Sequence, residues 1–290
     1  MTALRPVEVE VSADKTRTWA HFCHLSYDDF GRTETLHHWK ISKVFESARY
    51  YGFKKGVLDL RKIFKPKSTI FVLGMGYTFH QDLWKIPRGM VFPYKVSLEV
   101  VDMGRTSVTV FSQLVSKLDG RELATCSSKV VYVDRETRRP VAWPDWMVNK
   151  YTQAIQHRRP VHLPKAVPEV SPLAYSYQVR VGASDTDSNG HTNQGSYVRY
   201  CCDAAQAALK AGVLSPFHLD INRYPLKEQQ VLYVGESDMG DTLQVLLWQP
   251  PDHQDVIHFV IRQTGSGDQS SVIFYSNMTF GLSPIIYPKL

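Results

Sequence analysis

Several features of membrane, secreted and metal-dependent proteins are scarce in this sequence. Its apolar runs all fall short of the roughly 18 residues that a membrane span requires. The first residues lack the apolar core of a signal peptide, so we expect a cytoplasmic protein. Only four cysteines occur and none has Cys-x-x-Cys spacing, which favours reduced thiols over disulfides or a zinc site.

The excess of positive charge over negative charge is also small. The formal net charge is +6, which suits a phosphate-bearing ligand, an acidic carrier protein or nucleic acid. The basic residues are scattered, and no nucleic-acid recognition motif accompanies them. We therefore do not expect specific nucleic-acid binding.

The first half of the chain predicts one strand, one helix and then a run of antiparallel strands. Residues 1–16 are polar and mixed, which indicates a loose arm. A turn at 28–31 follows a strand at 18–27, and Thr33 can cap a helix beginning near Glu34. Later strands are predicted at three segments with turn signals between them, 91–101, 106–117 and 123–133.

The second half repeats this plan after a connecting segment rich in proline and charge, 135–172, with a short helix near 145–157. A strand at 173–181 precedes a polar turn and a helix at 194–210. Strands are then predicted at 229–234, 242–248, 256–262 and 271–279, with turns at 238–241 and 265–268. Matching Gly31 to Gly190 (190 − 31 = 159) also matches Asp28 to Asp187, which indicates an internal duplication in an α+β protein.

The densest group of reactive side chains is Ser184-Asp-Thr-Asp-Ser-Asn-Gly-His-Thr-Asn-Gln-Gly-Ser-Tyr197, between the predicted strand and helix. Asp185, Asp187, Asn189 and Gly190 have the spacing that opens a calcium-binding helix–loop–helix loop. The twelfth position, where a bidentate Glu belongs, is Ser196, so we do not expect calcium.

A polar turn with a helix N-cap is the simpler alternative, with Thr192 or Asn193 as the cap. A chemical role uses the same helix start, because backbone N–H groups near Gln194 and Gly195 could stabilise an oxyanion. A carboxylate just upstream could then attack a carbonyl or activate a water molecule. Cys201 and Cys202 lie within the helix, which favours packing over nucleophilic attack.

A strand, the motif D-x-D-x-x-G-H-x-N, a Tyr, a long helix and an antiparallel sheet resemble the hotdog-fold thioesterases. Two copies in one chain, with the motif in the second, resemble the acyl-ACP thioesterases, and the 4-hydroxybenzoyl-CoA thioesterase-like enzymes share the motif. The resemblance implies two tandem hotdog domains, each a long helix wrapped by an antiparallel sheet. They would occupy residues 17–140, with a degenerate site, and 173–282, the catalytic copy, joined by a linker at 141–172.

The same resemblance implies the roles of individual residues. Asp187 would be the base or nucleophile, Asn189 and His191 would orient the reacting groups, and Glu228 would assist the water. Asn193, Gln194 and Gly195 would form the oxyanion site at the helix start. Gln194 stands where family members often have a second Asn, which puts the contacts at the helix start in question. In the first copy, Phe30 and Arg32 stand in place of Asn189 and His191, so a complete second site is not expected.

The implied activity is hydrolysis of an acyl thioester of acyl-carrier protein or CoA to a free acid and a thiol, with no cofactor or metal. Two other classes stay open: a hotdog-fold hydratase or dehydratase, and a non-catalytic acyl-binding protein. A homodimer is one possible assembly, and no membrane span is expected.

Overall fold

A computed structural model describes residues 7–63, 68–155, 163–164, 166–264 and 270–286. The chain divides into two units, each made from more than one stretch. The first comprises 1–26, 44–80 and 89–162, and the second comprises 27–43, 81–88 and 163–290. The predicted turn at 265–268 lies outside the described residues.

Among its described residues, the first unit contains six strands, and its hydrogen-bonded neighbours are antiparallel. They are β1 (Glu8–Val11), β2 (Arg17–Phe22), β3 (Ser68–Phe79), β4 (Tyr94–Met103), β5 (Ser107–Ser116) and β6 (Glu122–Asp134). Their order across the sheet is β1-β2-β4-β5-β6-β3. The prediction of a loose arm at 1–16 is wrong for 8–11, because these residues pair with β2.

Three helices accompany these strands: α1 (His38–Lys54), α2 (Leu60–Ile63) and α3 (Asp145–Ala154). The first six residues of α1, 38–43, belong to the second unit. Near its other end α1 approaches β4 closely at Gly52, where a Cβ would lie 2.5 Å from Leu98 Cδ2. Helix α1 begins four residues later than predicted, since the chain from Thr33 to His37 is still part of a turn.

The described part of the second unit has five strands, which also pair antiparallel. They are β7 (Tyr175–Arg180), β8 (Leu226–Tyr233), β9 (Thr242–Trp248), β10 (Val256–Thr264) and β11 (Ser270–Phe280), in the order β8-β11-β10-β9-β7. Helix α4 (Gln194–Lys210) has the predicted bounds. Its small and aromatic face, including Tyr197, Cys201 and Ala204, is buried.

Helices and antiparallel sheets together confirm the predicted α+β class in its coarse form. Among the described residues, no helix is both long and apolar enough to cross a membrane.

Candidate active site

The reactive side chains lie on a tight turn between β7 and α4, which we call the second turn (Asp185–Asn193). Backbone hydrogen bonds close it: Asn193 N–H donates to Asp185 O at 2.7 Å, and Asp187 N–H donates to His191 O at 2.9 Å. Gly190 has φ of +85° and donates to Asp187 O at 3.0 Å. A glycine adopts this left-handed conformation without the steric penalty of a Cβ, which explains its place in the sequence.

The start of the second turn is anchored by a buried carboxylate. Asp185 is 6% exposed, and its Oδ2 accepts a hydrogen bond of 3.0 Å from Gly182 N. Its Oδ1 forms an ion pair with Arg199 from α4. A buried charge needs such partners, because desolvation otherwise disfavours it. Asp185 therefore fixes the turn on the helix and leaves no oxygen directed at a substrate.

Asp187, in contrast, is exposed at the middle of the turn. Its Oδ1 accepts the backbone N–H of Asn189 at 2.8 Å, and its Oδ2 accepts Asn189 Nδ2 at 3.4 Å. These bonds orient the carboxylate while leaving it accessible to water. Asp187 and Asn189, which the sequence predicts as site residues, are therefore brought together.

His191 faces a pair of carboxylates on the loop that joins β8 to β9. Its Nδ1 lies 3.5 Å from Glu236 Oε1, and its Nε2 lies 4.0 Å from Asp238 Oδ1. A backbone bridge between His191 and Asp238 keeps the loop and the turn side by side. The second turn and this loop therefore lie side by side, and together they bear Asp187, Asn189, His191 and Glu236.

A buried hydroxyl network fixes that loop against α4. Ser237, 2% exposed, contacts Thr192 Oγ1 at 2.8 Å and Tyr197 OH at 2.9 Å through its Oγ. Its backbone N–H also donates to Tyr197 OH at 3.1 Å. Burial raises the pKa of Tyr197, so the phenol stays protonated and can serve both as donor and as acceptor.

Glu228, the fourth residue that the resemblance implies, is not brought to this turn. It lies exposed on β8, where its backbone is paired with Thr279. It precedes the strand end at Tyr233 by five residues, or about 16 Å of extended chain. Sequence reasoning missed Glu236, although the acidic run just before Gly240 marked the neighbouring turn.

The helix start is occupied by its own cap. Asn193 is the N-cap of α4, and its Oδ1 accepts the N–H of Gly195 at 2.8 Å. Gln194 is the first helical residue, and its carbonyl accepts Tyr233 OH at 3.4 Å. The predicted cap at Asn193 is confirmed. The N–H of Gly195 already donates to this cap, so the geometry does not support Gly195 as an oxyanion donor.

A turn with the same backbone hydrogen bonds lies before α1, and we call it the first turn (Asp29–His37). Within it His37 N donates to Asp29 O at 2.9 Å and Glu34 N to Gly31 O at 3.1 Å. Glu34 is the counterpart of Gly190, and it also has a positive φ, of +63°.

The match between the turns sets an offset of 156 residues (185 − 29, 190 − 34 and 193 − 37). With this offset the first and last residues of α1 match the first and last residues of α4, and each helix has 17 residues. The predicted offset of 159 residues is therefore wrong by three. Under the correct offset Gly31, Thr33 and Thr35 stand in place of Asp187, Asn189 and His191.

Comparison with known proteins gives matches of two kinds, one to part of the sequence and one to the fold. Residues 21–151 match the family model of the thioesterase-like superfamily, a segment that includes the first turn. No curated protein matches the sequence.

Solved structures with a similar fold cover nearly the whole chain. An acyl-ACP thioesterase from Bacteroides thetaiotaomicron has a TM-score of 0.69 and 17% identity, over 93% of this chain and 100% of that chain. A protein described as an oleoyl thioesterase from Lactobacillus plantarum has a TM-score of 0.71 and 16% identity, over 95% and 99%. The 12:0-ACP thioesterase from Umbellularia californica has 0.69 and 14%, over 93% and 98%. At these identities the likeness concerns the fold, and it confirms the hotdog-type fold in its coarse form.

Proposed function

We propose that this chain, whose residues 21–151 match the family model of the thioesterase-like superfamily, hydrolyses acyl thioesters to a free acid and a thiol. The observation that carries the proposal is the second turn, where an exposed, oriented carboxylate lies with His191 and Glu236 at the start of α4. Fold neighbours described as acyl-ACP thioesterases support the same reaction class.

In the proposed mechanism Asp187 acts on the thioester carbonyl carbon through a water molecule or by direct attack. As a base, its carboxylate accepts a proton while the water oxygen bonds to the carbonyl carbon. As a nucleophile, it forms an anhydride that water then hydrolyses. In both cases the C–S bond breaks, the thiolate leaves and takes up a proton, and the acid is released.

The neighbouring residues keep Asp187 and the water in place. Asn189 holds both carboxylate oxygens through its backbone and side-chain N–H groups. His191 and Glu236 lie close enough for a shared proton or a bridging water, with Glu236 in the role first expected of Glu228. This assignment of Asp187, Asn189, His191 and Glu236 is part of the proposal.

The finer architecture is proposed on the same grounds. Two hotdog domains at 17–140 and 173–282, with a linker at 141–172, are supported by two turns with the same hydrogen bonds and two helices of equal length. The first domain would have lost its site, because Gly31 replaces the carboxylate of Asp187. A cytoplasmic location and a homodimer stay predictions.

The substrate would be an acyl group on acyl-carrier protein or CoA, and both carriers suit the net charge of +6. A panel of acyl-ACP and acyl-CoA thioesters, assayed for free thiol with a thiol reagent, tests the proposal. We expect thiol release with at least one carrier. Binding of acyl chains without thiol release would indicate an acyl-binding protein, and addition of water to an enoyl thioester would indicate a hydratase.

A further inference from the structure

Helices α1 and α4 contact each other through side chains at equivalent positions. Arg199 of α4 lies over the ring of Trp39 on α1, with its Cζ 6.0 Å from the ring centroid. In return, Lys43 of α1 lies against Gly195 of α4, where a Cβ would come within 2.9 Å of Lys43 Cε. The offset of 156 residues relates Lys43 to Arg199 and Trp39 to Gly195 (199 − 43 and 195 − 39).

The two contacts differ in what the basic side chain reaches. Arg199 pairs with Asp185, at the beginning of the second turn. Lys43 passes over the bare backbone of Gly195, and its ammonium donates a hydrogen bond to Asn193 Oδ1 at the end of the same turn. A tryptophan such as Trp39 in place of Gly195 would fill that path. Both ends of the second turn are therefore held by a basic residue, one from each helix.

The bond from Lys43 is part of a chain of contacts that ends in the reactive residues. Asn193 Oδ1 also accepts Gly195 N–H at 2.8 Å, and Asn193 N–H closes the turn on Asp185 O at 2.7 Å. Restraining the side chain of Asn193 therefore restrains the segment between Asp185 and Asn193. That segment bears Asp187 and His191.

The charge of Lys43 argues against a role in helix stability alone. The N-terminus of a helix has a partial positive charge, so a cation there is electrostatically unfavourable. A charge-assisted bond to one amide oxygen fixes geometry more strongly than a neutral bond would. An apolar residue at position 43 would pack on Gly195 without that electrostatic penalty.

We propose that Lys43, on α1, is a positioning residue for the site on the second turn and acts through Asn193. The inference rests on the proposed function, because the readout is thioester hydrolysis. It gives α1 a part in the chemistry although the first turn has no counterpart of Asp187.

Lys43→Met, which keeps the length of the side chain, tests the inference. We expect kcat to fall about tenfold, the scale of one hydrogen bond to a charged group, with KM within about twofold of wild type. Lys40→Met is the matched control, since Lys40 lies on the same helix but pairs with Asp29 of the first turn. The control should retain wild-type kcat.

Gly195→Ala provides a second, independent test. The added Cβ would displace the flexible end of Lys43, which a folded protein tolerates, and would thereby separate the ammonium from Asn193. We expect Gly195→Ala and Lys43→Ala each to lower kcat about tenfold. The double variant should be no worse than Lys43→Ala alone, because the bond can be lost only once.

The outcomes separate this inference from the proposed function. If wild type releases no thiol from any acyl-ACP or acyl-CoA, the proposed function fails. Hydrogen exchange at the Gly195 amide then still tests the contact, since Lys43→Met should accelerate it by about tenfold. If wild type is active, unchanged kcat in Lys43→Met, an equal loss in Lys40→Met, or additive losses in the double variant would overturn the role of Lys43.

Discussion

The first turn and the second turn have the same pattern of backbone hydrogen bonds but differ in their side chains. Each closes on itself through the same hydrogen bonds and leads into a helix of 17 residues. In the second turn the middle positions are Asp187, Asn189 and His191, whereas the first turn has Gly31 and two threonines there. Hydrogen bonds of the main chain therefore fix the shape of the turn, and side chains outside those bonds decide whether it can do chemistry.

The largest effect should come from removing the carboxylate that distinguishes the turns. Asp187→Asn should lower kcat at least about 10²-fold, the scale for loss of a general base. Its stability should change little, because the Asp187 side chain is exposed and its carboxylate accepts hydrogen bonds from the neighbouring Asn189, which an amide oxygen can still accept. Steady-state thiol release and urea unfolding check the two parts, with Asp28→Asn as the control. Undiminished hydrolysis in Asp187→Asn would remove this residue from the mechanism.

The acidic partner of His191 gives the next largest effect. Glu236→Gln should lower kcat about 10- to 100-fold, because the side chain 3.5 Å from His191 would no longer accept a proton. Glu228→Gln, a matched change on β8, should stay within about twofold of wild type. The same assay compares both variants. A greater loss in Glu228→Gln would restore the assignment that the resemblance implied.

The first residue of α1 is His38, whereas the first residue of α4 is Gln194. This difference should make the free energy of unfolding depend on pH through His38. Burial lowers the pKa of His38 to about 4, and its Nε2 lies 3.0 Å from Tyr224 O. The folded state thus favours neutral imidazole, so the contribution to stability is complete above about pH 6.5 and is lost as the pH falls toward 4. Between pH 7 and 5 the loss should be about 2 kcal/mol.

His38→Gln places at the start of α1 the residue type found at the start of α4. This variant should not show the loss of stability between pH 7 and pH 5 that His38 causes. Urea unfolding of wild type and variant at pH 7 and pH 5 measures it, with exposed His24→Gln as the control. An unchanged pH dependence in His38→Gln would show that protonation of His38 is not coupled to unfolding.

The smallest effects should come from the two left-handed positions, and they should have opposite signs. A Cβ on Gly190 would meet nothing within 4 Å, so Gly190→Ala should lose about 1–2 kcal/mol through backbone strain alone. Glu34→Gly should gain up to about 1 kcal/mol, since it relieves the same strain at φ of +63°. The ion pair of Glu34 with Arg88, in which only the Glu34 side chain is largely exposed, offsets part of this gain. Urea midpoints measure both, and a loss of stability in Glu34→Gly would contradict the comparison.

The regular elements were the most predictable part of the molecule. Helix α4 and strand β9 have their predicted bounds, because an amphipathic period of 3.6 and an alternating period of 2 are local properties of the sequence. Strand β1 alternates over only four residues, which is too short to separate a strand from an irregular segment, so the sequence predicts a loose arm there. The dense polar segment that became the second turn was also visible in the sequence.

The register between the turns and the fourth site residue could not be read in the same way. The offset of 159 residues matches one glycine to another and one aspartate to another. In the structure the counterpart of Gly190 is Glu34, a residue held in a conformation that its type disfavours. Glu236 likewise depends on where β8 ends and on the bridge from His191 to Asp238, which are set by tertiary pairing.

The self-contained bonding of the second turn has a consequence for how such a site can change. Asp185 and Asn193 secure its ends, while Asp187 and Asn189 bond chiefly to each other. Substitutions in the middle can therefore accumulate without selection against misfolding. An ancestral copy could lose its activity in a few steps and persist as a folded domain, and a library randomised at 187, 189 and 191 should consist mostly of folded proteins.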